Sequence, residues 1–591
     1  MTNFKKFNKN LLKTAGVLAL VSSSAGALEF GSMGNLSTSM GGAGVALRSP
    51  FGLYYNPALI ASGSKSRFGY SFGASIREHN VDKALPILSN MDNISNTLGN
   101  LASSFGGGNS LSAMANGAGG SGTVASTAVL AAAAANSPSS GNTNSTGGAS
   151  GTNGTPSNLQ DIIRNALKAA DKNGSTGGSG DVNGENLQKL FEQYQTTHNG
   201  NFGPLVEQVV KAAEGANLPS DQKDLITRVA NGVDWNNVKF DGNGISTIAI
   251  RKGQSPELDN VMKDINTIQD IFKSNNINIR SQNGIALQLT SPYLKSTFGA
   301  LAFGVFNDTH GNISIKSDPS RLRLIVGSGD NYSELSTSSS GYTFSKSSEN
   351  DYNNHSLIAS LQNGNSKAVN SLFILTEVPI GYAYSIALPG SNLNVGIALK
   401  YMNAYGMYNE GSISDFMGSF QNNVKNMENA SSYGIDVGVN YDLNLFSDSA
   451  LSVGVVAKNI NTPKFNFKHA TAIIKPQYRA GIAYNGDYFS AAFDADLAPN
   501  EVYPFAAQNG ASLLLSQMIG GGAKVGFKYV DIRAGLAYDL RQRGNGVIMT
   551  AGLNLFGFLD ISAQVGTSTF EYQGYTIPKY ADVRIGGSFS W

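Results

Sequence analysis

The sequence contains no cysteine and few charged residues, and these absences exclude several classes of protein. Its 591 residues include 42 Lys and Arg against 41 Asp and Glu, a net charge of +1, and charged residues make up only 14% of the chain. Ordinary soluble domains carry about 25%. Without cysteine there is no thiolate nucleophile and no thiolate zinc site. The balanced charge provides no basic field, so we expect no nucleic-acid partner.

Long apolar runs are missing beyond the N-terminus. There, Lys5, Lys6 and Lys9 precede an apolar run over Leu11–Val21, and Ala25-Gly26-Ala27 forms an A-x-A cleavage site. This pattern predicts a secretory signal peptide over 1–27, cleaved near Ala27. The alternative, a membrane-anchoring helix, needs a longer run. No later run reaches 18 apolar residues, so we expect no membrane-spanning helix.

Apolar residues recur instead at every second position, which is the period of a β-strand with two different faces. In 392–407, for example, one face would carry Leu393, Val395, Ile397, Leu399 and Tyr401. Such alternation predicts fourteen strands. They cover 66–78, 282–291, 296–306, 372–388, 392–407, 431–445, 449–459, 477–484, 487–497, 520–529, 531–539, 547–555, 558–567 and 580–591.

Asn485-Gly486 is the strongest hairpin signal in the chain. A two-residue turn at this dipeptide would pair Ile482 with Phe489 and place all the apolar partners on one face.

The connections between the predicted strands alternate between short and long. This arrangement is typical of bacterial outer-membrane barrels, which have an even strand number, short periplasmic turns and longer extracellular loops. We therefore predict an all-β fold, an antiparallel transmembrane β-barrel of about fourteen strands, in the Gram-negative outer membrane. The domains would be a signal peptide (1–27), an N-terminal segment (28–65), a first strand (66–78), an insertion (79–281) and the remaining barrel (282–591). A soluble exported β-protein is the alternative.

The insertion 79–281 has a different composition and would lie outside the cell. Residues 103–180 are rich in Gly, Ser, Asn, Thr and Ala, which predicts a flexible linker. Apolar residues at helical spacing predict short helices around Leu187–Tyr194 and Leu205–Ala213. A longer helix follows, with Ser255 as its cap and Pro256 at its first position. We expect a small helical unit with its own core.

Six charged side chains point inward on the predicted strand faces: Lys400, Asp436, Arg479, Asp494, Asp560 and Arg584. Inward placement is expected of any barrel, since charges facing lipid are costly. These groups would form structural ladders across the wall, such as Arg479 with Asp494, or line a substrate path. No Ser/His/Asp set and no zinc-type histidine pairing is apparent, so we expect no enzyme activity, metal or cofactor.

The segment after the signal peptide, "SMGGAGVALRSPFGLYYNPALIAS" (39–62), is rich in glycine. It is not a dinucleotide loop, because Gly42-Ala43-Gly44 lacks the third glycine of that motif. With a barrel predicted, the segment resembles the N-terminal signature of the FadL/OmpP1/TodX superfamily of outer-membrane channels for hydrophobic compounds. The resemblance implies a hatch that plugs the barrel from the periplasmic side. The hatch residues would be Gly41, Gly42, Gly44, Phe51, Tyr54, Tyr55, Asn56, Pro57 and Ala58.

This resemblance also implies a function, namely passive uptake of hydrophobic compounds such as long-chain fatty acids past the plug. A packed plug that never moves is the alternative. The implied partners are the lipid bilayer and hydrophobic small molecules. The last strand ends on Trp591, similar to the signal read by the outer-membrane insertion machinery. We expect a monomer.

A narrower resemblance lies in the C-terminal half. "VVAKNINTPKF" (455–465), "IKPQYRAGIAYN" (474–485) and "DADLAPNE" (494–501) resemble exported TraF-like proteins of conjugal transfer. This resemblance implies a second function, an envelope or surface protein that binds a partner through the insertion 79–281. The insertion departs from the FadL pattern, whose first loop is much shorter.

Overall fold

The computed structural model describes most of the chain after the signal peptide. The described residues are 27–80, 82–83, 159–170, 184–215, 220–241, 244–253, 256–273, 275–328, 331–337, 341–362, 365–412, 427–446, 449–468, 470–502, 504–505, 515–527, 529–572 and 574–591. The predicted signal peptide up to residue 26, the helix cap Ser255 and most of the predicted linker lie outside these ranges.

Fourteen antiparallel strands form a closed barrel. Each strand pairs with the next in the chain, and the last pairs with the first. The strands are β1 (Arg67–His79), β2 (Asn276–Leu289), β3 (Ala300–Lys316), β4 (Lys367–Leu388), β5 (Ser391–Ser412), β6 (Glu428–Phe446), β7 (Ser449–Lys458), β8 (Gln477–Asn485), β9 (Phe489–Asp496), β10 (Met518–Gly526), β11 (Val530–Asp539), β12 (Val547–Leu555), β13 (Leu559–Gly566) and β14 (Tyr580–Ser590). This confirms the predicted fold class and strand number.

Strand bounds differ most at the end of the barrel that carries the long loops. β2 begins at Asn276 instead of 282, and β3 continues to Lys316 instead of 306. The added stretches contain buried polar side chains such as Arg280 and His310. These residues interrupt the apolar alternation that defines a strand in the sequence, so the pattern ends before the strand does.

The hairpin between β8 and β9 is shifted from its predicted register. Asn485 pairs with Ser490, and Ile482 pairs with Phe493 rather than with Phe489. The Asn485 side chain is held inside the barrel, where its Oδ1 accepts from the backbone N–H of Arg48 at 2.8 Å, so the turn begins after it. The shift is even, so every side chain keeps its predicted face.

The outer surface of the barrel is apolar. On β5, Leu399 and Tyr401 are each 57% exposed, whereas Lys400 between them is 4% exposed and points inward. Exposed aromatic side chains lie in or beside the short turns: Tyr293, Phe298, Phe446, Tyr488, Phe527, Tyr529, Phe556, Phe558, Phe589 and Trp591. A closed barrel with an apolar outer face and an aromatic girdle is the architecture of an outer-membrane protein.

Among the described helices, none is both long and apolar enough to cross a membrane.

The first two long loops fold together into one globular unit, which we call the composite domain. From the first loop come five described helices, Leu159–Ala170, Gly184–Thr197, Gly203–Glu214, Ser220–Gly232 and Pro256–Lys273, and the strands Lys239–Asp241 and Gly244–Arg251. From the second loop come the strands Leu324–Ser328, Asn331–Thr337 and Gly341–Ser347 and the helices Glu349–His355 and Leu357–Gln362. The five strands form one sheet, in which Gly244–Arg251 pairs with Gly341–Ser347 across the two loops.

The composite domain corrects two predictions about the insertion. The domain is not only helical, because it contains a five-stranded sheet. Three of the five strands come from the second loop, whereas the prediction placed the whole unit in the insertion 79–281. The predicted linker 103–180 contains a helix, Leu159–Ala170, whose Ile162, Ile163 and Leu167 are buried in the domain core. The surrounding Gly and Ser hide this short amphipathic pattern when composition is averaged over the whole stretch. The rest of 103–180 lies outside the described residues.

Candidate functional site

Residues 28–62 fill the barrel interior, and we call them the plug. The plug begins at the long-loop end, where Ala27–Leu28 pairs with Asn500–Glu501 in the loop between β9 and β10. It ends at the short-turn end, where Ser66 exchanges backbone hydrogen bonds with Trp591. All its residues are buried except Ser32, Leu36, Arg48 and Pro50. The plug therefore runs the length of the barrel rather than closing only its periplasmic side.

Asn56, Pro57 and Ala58 form the bend of the plug. Asn56 is fully buried, and its Nδ2 donates to the carbonyls of Val45 at 3.0 Å and Val439 at 3.2 Å. Its Oδ1 accepts from the Ala58 N–H at 3.0 Å, which caps the short 3₁₀ helix Pro57–Ala61. Asn56 thus joins two parts of the plug to strand β6. Proline suits the first position of this helix because no hydrogen-bond donor is needed there.

The predicted hatch glycines allow close contact with the wall. Gly41 has φ +68°, and a Cβ at this position would lie 2.3 Å from the Leu536 carbonyl oxygen. A Cβ on Gly44 would lie 2.5 Å from the Tyr55 ring. Gly42 also has a positive φ, +79°. These glycines are required by tight packing and backbone conformation, so they indicate a fixed plug in this state.

The predicted hatch aromatics Phe51, Tyr54 and Tyr55 pack with Phe30 of the plug and Phe306 of β3 into one buried group, which we call the plug cluster. The ring centroids of Tyr54 and Phe306 are 5.2 Å apart, and the Tyr55 hydroxyl accepts from the Met33 N–H at 2.7 Å. Burial raises the pKa of both phenols, that of Tyr55 to about 12, so both stay neutral at physiological pH. The ammonium of Lys458 lies 3.6 Å from the centre of the Tyr54 ring, a cation–π contact.

All six predicted inward charges are buried inside the barrel: Lys400, Asp436, Arg479, Asp494, Asp560 and Arg584. Lys400 Nζ lies 2.9 Å from Glu377 and 3.0 Å from Asp436. Arg533 donates to Asp560 at 2.7 Å, and Arg584 lies 2.9 Å from Asp582. Buried charges need such partners. Lys400 joins the neighbouring strands β4, β5 and β6, Arg533 on β11 reaches across β12 to Asp560 on β13, and Arg584 pairs within β14.

The expected ladder between Arg479 and Asp494 is wrong. Arg479 pairs with Asp496, at 2.6 Å from Nε to Oδ1, because the register of β8 and β9 is shifted. Asp494 is free to bind the plug, and its Oδ2 accepts from the backbone N–H groups of Gly44 at 2.7 Å and Val45 at 2.9 Å. This carboxylate is a direct link between wall and plug.

A second link between the plug and the wall is formed by ion pairs of Glu29 and was not predicted from the sequence. Glu29 of the plug lies 2.8 Å from Arg77 on β1 and 3.6 Å from Arg280 on β2. Ser516 donates to the same carboxylate at 3.1 Å. Burial opposes the charge on Glu29, but the two guanidinium groups overcome it and lower the pKa of this carboxyl. The alternation of β1 indicates that Arg77 faces inward, whereas Arg280 lies outside the predicted strand.

Above the plug, four phenylalanines form what we call the mouth cluster: Phe373, Phe465, Phe467 and Phe505. Phe373 belongs to β4, and the other three come from the two loops after β7 and β9. The ring of Phe373 lies 5.8 Å from those of Phe465 and Phe505. Leu28, at the start of the plug, packs into the same cluster. Apolar side chains therefore continue from the long-loop mouth into the plug.

Two cavities lie against the plug. A cavity of about 40 Å³ lies between Glu29, Gly41 and Asp494. A larger cavity of about 630 Å³ opens at the short-turn end, with Arg48 and Phe51 of the plug in its floor. Any solute crossing the barrel needs the plug to move.

One family model matches this chain, with the description "F plasmid transfer operon, TraF, protein", over residues 207–496. This range includes most of the composite domain and strands β2 to β9. The match bears out the TraF-like resemblance found in the sequence. No curated protein matches the chain significantly.

Solved structures of outer-membrane barrels are similar only at a low level. A Pseudomonas aeruginosa FadL homologue is 7% identical, covers 96% of this chain and 99% of its own, and has a TM-score of 0.29. CdiB from Acinetobacter baumannii is 10% identical with a TM-score of 0.25; the alignment covers 58% of this chain and 56% of CdiB, little more than half its length. A Rhodopseudomonas blastica porin mutant is 12% identical, with a TM-score of 0.19, over 53% of this chain and 91% of the porin.

The barrel assignment does not depend on these low scores, because the strand pairing closes the barrel by itself. With its apolar belt and its family match, the chain is a fourteen-stranded outer-membrane β-barrel protein similar to the TraF family over its central region.

Proposed function

We propose that the protein is a plugged outer-membrane channel for the passive uptake of hydrophobic compounds such as long-chain fatty acids. The supporting observation is the pair of apolar clusters in series inside the barrel. The mouth cluster lies at the long-loop end, which faces the outside in barrels of this type. The plug cluster follows it along the same side of the interior.

The two clusters are joined by the start of the plug. Leu28 packs in the mouth cluster and Phe30 in the plug cluster, two residues further along the chain. The rings of the two clusters offer apolar contacts along this path, beside buried charges such as Glu29 and Lys458. Movement of the segment around Leu28 and Phe30 would open this mixed apolar and charged surface from the mouth to the centre of the barrel.

Uptake is measured with purified protein in liposomes that enclose a fluorescent fatty-acid sensor. Wild-type protein and the loosened Pro57→Ala variant are compared with protein-free liposomes. The expected result is uptake above the protein-free rate, faster with Pro57→Ala. Absence of uptake with both proteins contradicts the proposal.

A matched pair of variants tests the path itself. Phe505→Ala truncates the mouth cluster inside the barrel, and Phe527→Ala truncates an exposed aromatic in a short turn. Phe505→Ala should change the uptake rate at least severalfold, whereas Phe527→Ala should leave it unchanged. Equal effects of the two substitutions would contradict the assigned path.

A second function has a different supporting observation, the composite domain with its own apolar core. In this alternative, the domain binds a partner at the cell surface, as in a TraF-like role in conjugal transfer. Because the second loop supplies three of its strands, a clean deletion removes both 84–273 and 318–364. Uptake without the domain supports the channel. Loss of mating or partner binding with uptake unchanged supports the second function.

A further inference from the structure

The larger cavity, at the short-turn end of the barrel, has features that neither function explains. Its volume is about 630 Å³, and the plug forms its floor. Six cationic side chains line it: Arg48, Lys65, Arg67, Lys295, Lys524 and Arg533. Three carboxylates line it as well: Asp487, Asp531 and Asp560.

Two of these cations are paired with the three carboxylates of the lining, and a third is paired with a carboxylate outside it. Arg533 lies 2.7 Å from Asp560 and 3.2 Å from Asp531. Lys65 and Asp487 are both more than half exposed and lie 3.9 Å apart. The Arg48 guanidinium lies 3.6 Å from Oδ2 of Asp442, a carboxylate that does not line the cavity.

The other three cations have no carboxylate partner within the part of the chain that the structure describes. Arg67 donates to the Ser62 carbonyl at 3.3 Å, and Lys295 donates to the Gly63 carbonyl at 2.9 Å. Lys524 makes neither a hydrogen bond nor an ion pair with a described residue. The neutral carbonyls compensate none of this charge, which is attracted only by more distant carboxylates, Asp442 for Arg67 and Lys295, and Asp531 and Asp487 for Lys524.

The three side chains come from separate parts of the fold. Arg67 begins β1, Lys295 lies in the short helix Pro292–Thr297 between β2 and β3, and Lys524 is on β10. Lys524 shares the inward face of β10 with Gly520 and Gly522, which contact the plug. Three half-buried cations therefore converge on one concave space, where an anion is favoured by all of them.

We propose that this cavity binds a phosphate group, held by Arg67, Lys295 and Lys524. A guanidinium and two ammonium groups match the several oxygens and the charge of a phosphate. The cavity has room beyond the phosphate, bounded by Leu36, Pro50 and Phe51 on the plug side. The group can belong to a free phosphate ion or to a lipid headgroup of the membrane that surrounds this end. The proposal is independent of the uptake function.

The test uses the full-length protein folded in non-ionic detergent, with binding followed by isothermal titration calorimetry. The probes are inorganic phosphate and dihexanoyl phosphatidic acid, each at constant ionic strength set with sodium chloride. The variants are Lys524→Gln, Lys295→Gln and the double variant. The control is Lys252→Gln, an exposed lysine of the composite domain. A heat-dependent change of migration in detergent gels verifies that each variant is a folded barrel.

We expect saturable binding of at least one probe, a Kd at least fivefold higher for each single variant, and no change for Lys252→Gln. Binding of inorganic phosphate identifies a free ion as sufficient, and binding of phosphatidic acid alone identifies a lipid headgroup. The proposal is overturned if neither probe binds, or if the double variant binds as the wild type does.

Discussion

The barrel interior and the composite domain differ in the kind of side chain that each buries. Inside the barrel, the plug and the wall are joined by buried charges, as in Glu29 with Arg77 and Asp494 with the plug amides. The core of the composite domain consists of apolar side chains, among them Leu205, Val261 and Trp235. The barrel turns its apolar residues toward lipid, so its interior receives the polar ones. The two regions should therefore respond differently to similar substitutions.

The largest effect is expected for Lys400→Met. It removes the cation between Glu377 and Asp436 and leaves two buried carboxylates without their partner. Breaking a buried ion pair costs roughly 3–5 kcal/mol. The free energy of unfolding of the barrel, from urea titration in detergent, should fall by this amount. Lys464→Met, at an exposed position, is the control, and a similar loss in both variants would contradict the role of the pair.

The second largest loss of stability should be confined to the composite domain. Leu205→Ala creates a cavity in the core of the composite domain, where Leu205 is fully buried. The expected loss is roughly 2–5 kcal/mol of domain stability. Limited proteolysis should cut the domain faster, whereas the heat-modifiable migration of the barrel should stay unchanged. If the barrel loses its compact form as well, the two regions are not separate in stability.

A smaller effect is expected for Asp494→Asn, which retains the shape but removes the charge that accepts from Gly44 and Val45. Hydrogen bonds to charged groups contribute about 1.5–3 kcal/mol, and an amide oxygen keeps part of this. The plug should loosen, seen as a higher ion conductance in planar bilayers, while the barrel remains folded. Conductance equal to that of the wild type would show that Asp494 does not hold the plug.

Acid should weaken the anchor of the plug through Glu29. Its folded pKa lies below the ordinary value of 4.5 because of Arg77 and Arg280, so this contribution is fully present above 4.5 and decreases as pH falls through the folded value. Protease cleavage near the plug N-terminus should rise in this acid range for the wild type. Glu29→Gln should be cleaved readily at every pH. A pH dependence that persists in Glu29→Gln would assign it to another group.

The smallest effect is expected for Lys211→Ala. Lys211 and Glu207 form an exposed pair one helical turn apart in the composite domain, at 2.7 Å. Exposed pairs contribute little to stability. The midpoint of domain unfolding should not shift measurably, and a clear shift would mean that charge also supports this domain.

The alternation of apolar residues was sufficient to predict the fourteen strands and the six inward charges. The same alternation places Arg77 and Arg533 on the inward faces of their strands. The sequence was therefore sufficient to predict that both guanidinium groups point into the barrel. Arg280 and Asp308, which are paired in the structure, lie in polar strand ends where no alternation is visible. Their pairing depends on register, which sequence alone does not provide.

The composite domain was predicted only in part, for a related reason. Its helices follow from local spacing, as Val261, Ile265 and Phe272 show in Pro256–Lys273. Its sheet joins two loops that are separated by strands β2 and β3. Partners so distant in sequence leave no local pattern.

The short link between the plug and β1 has a consequence for assembly. Only Gly63–Ser66 separate the plug from the first strand, a span of roughly 14 Å when fully extended. The wall closes where β1 meets β14, so it is complete only after the last strand has been placed. The short link therefore holds the plug beside the short-turn end of the wall throughout assembly, both before and after the barrel closes. A displaced plug remains tethered close to its own entrance.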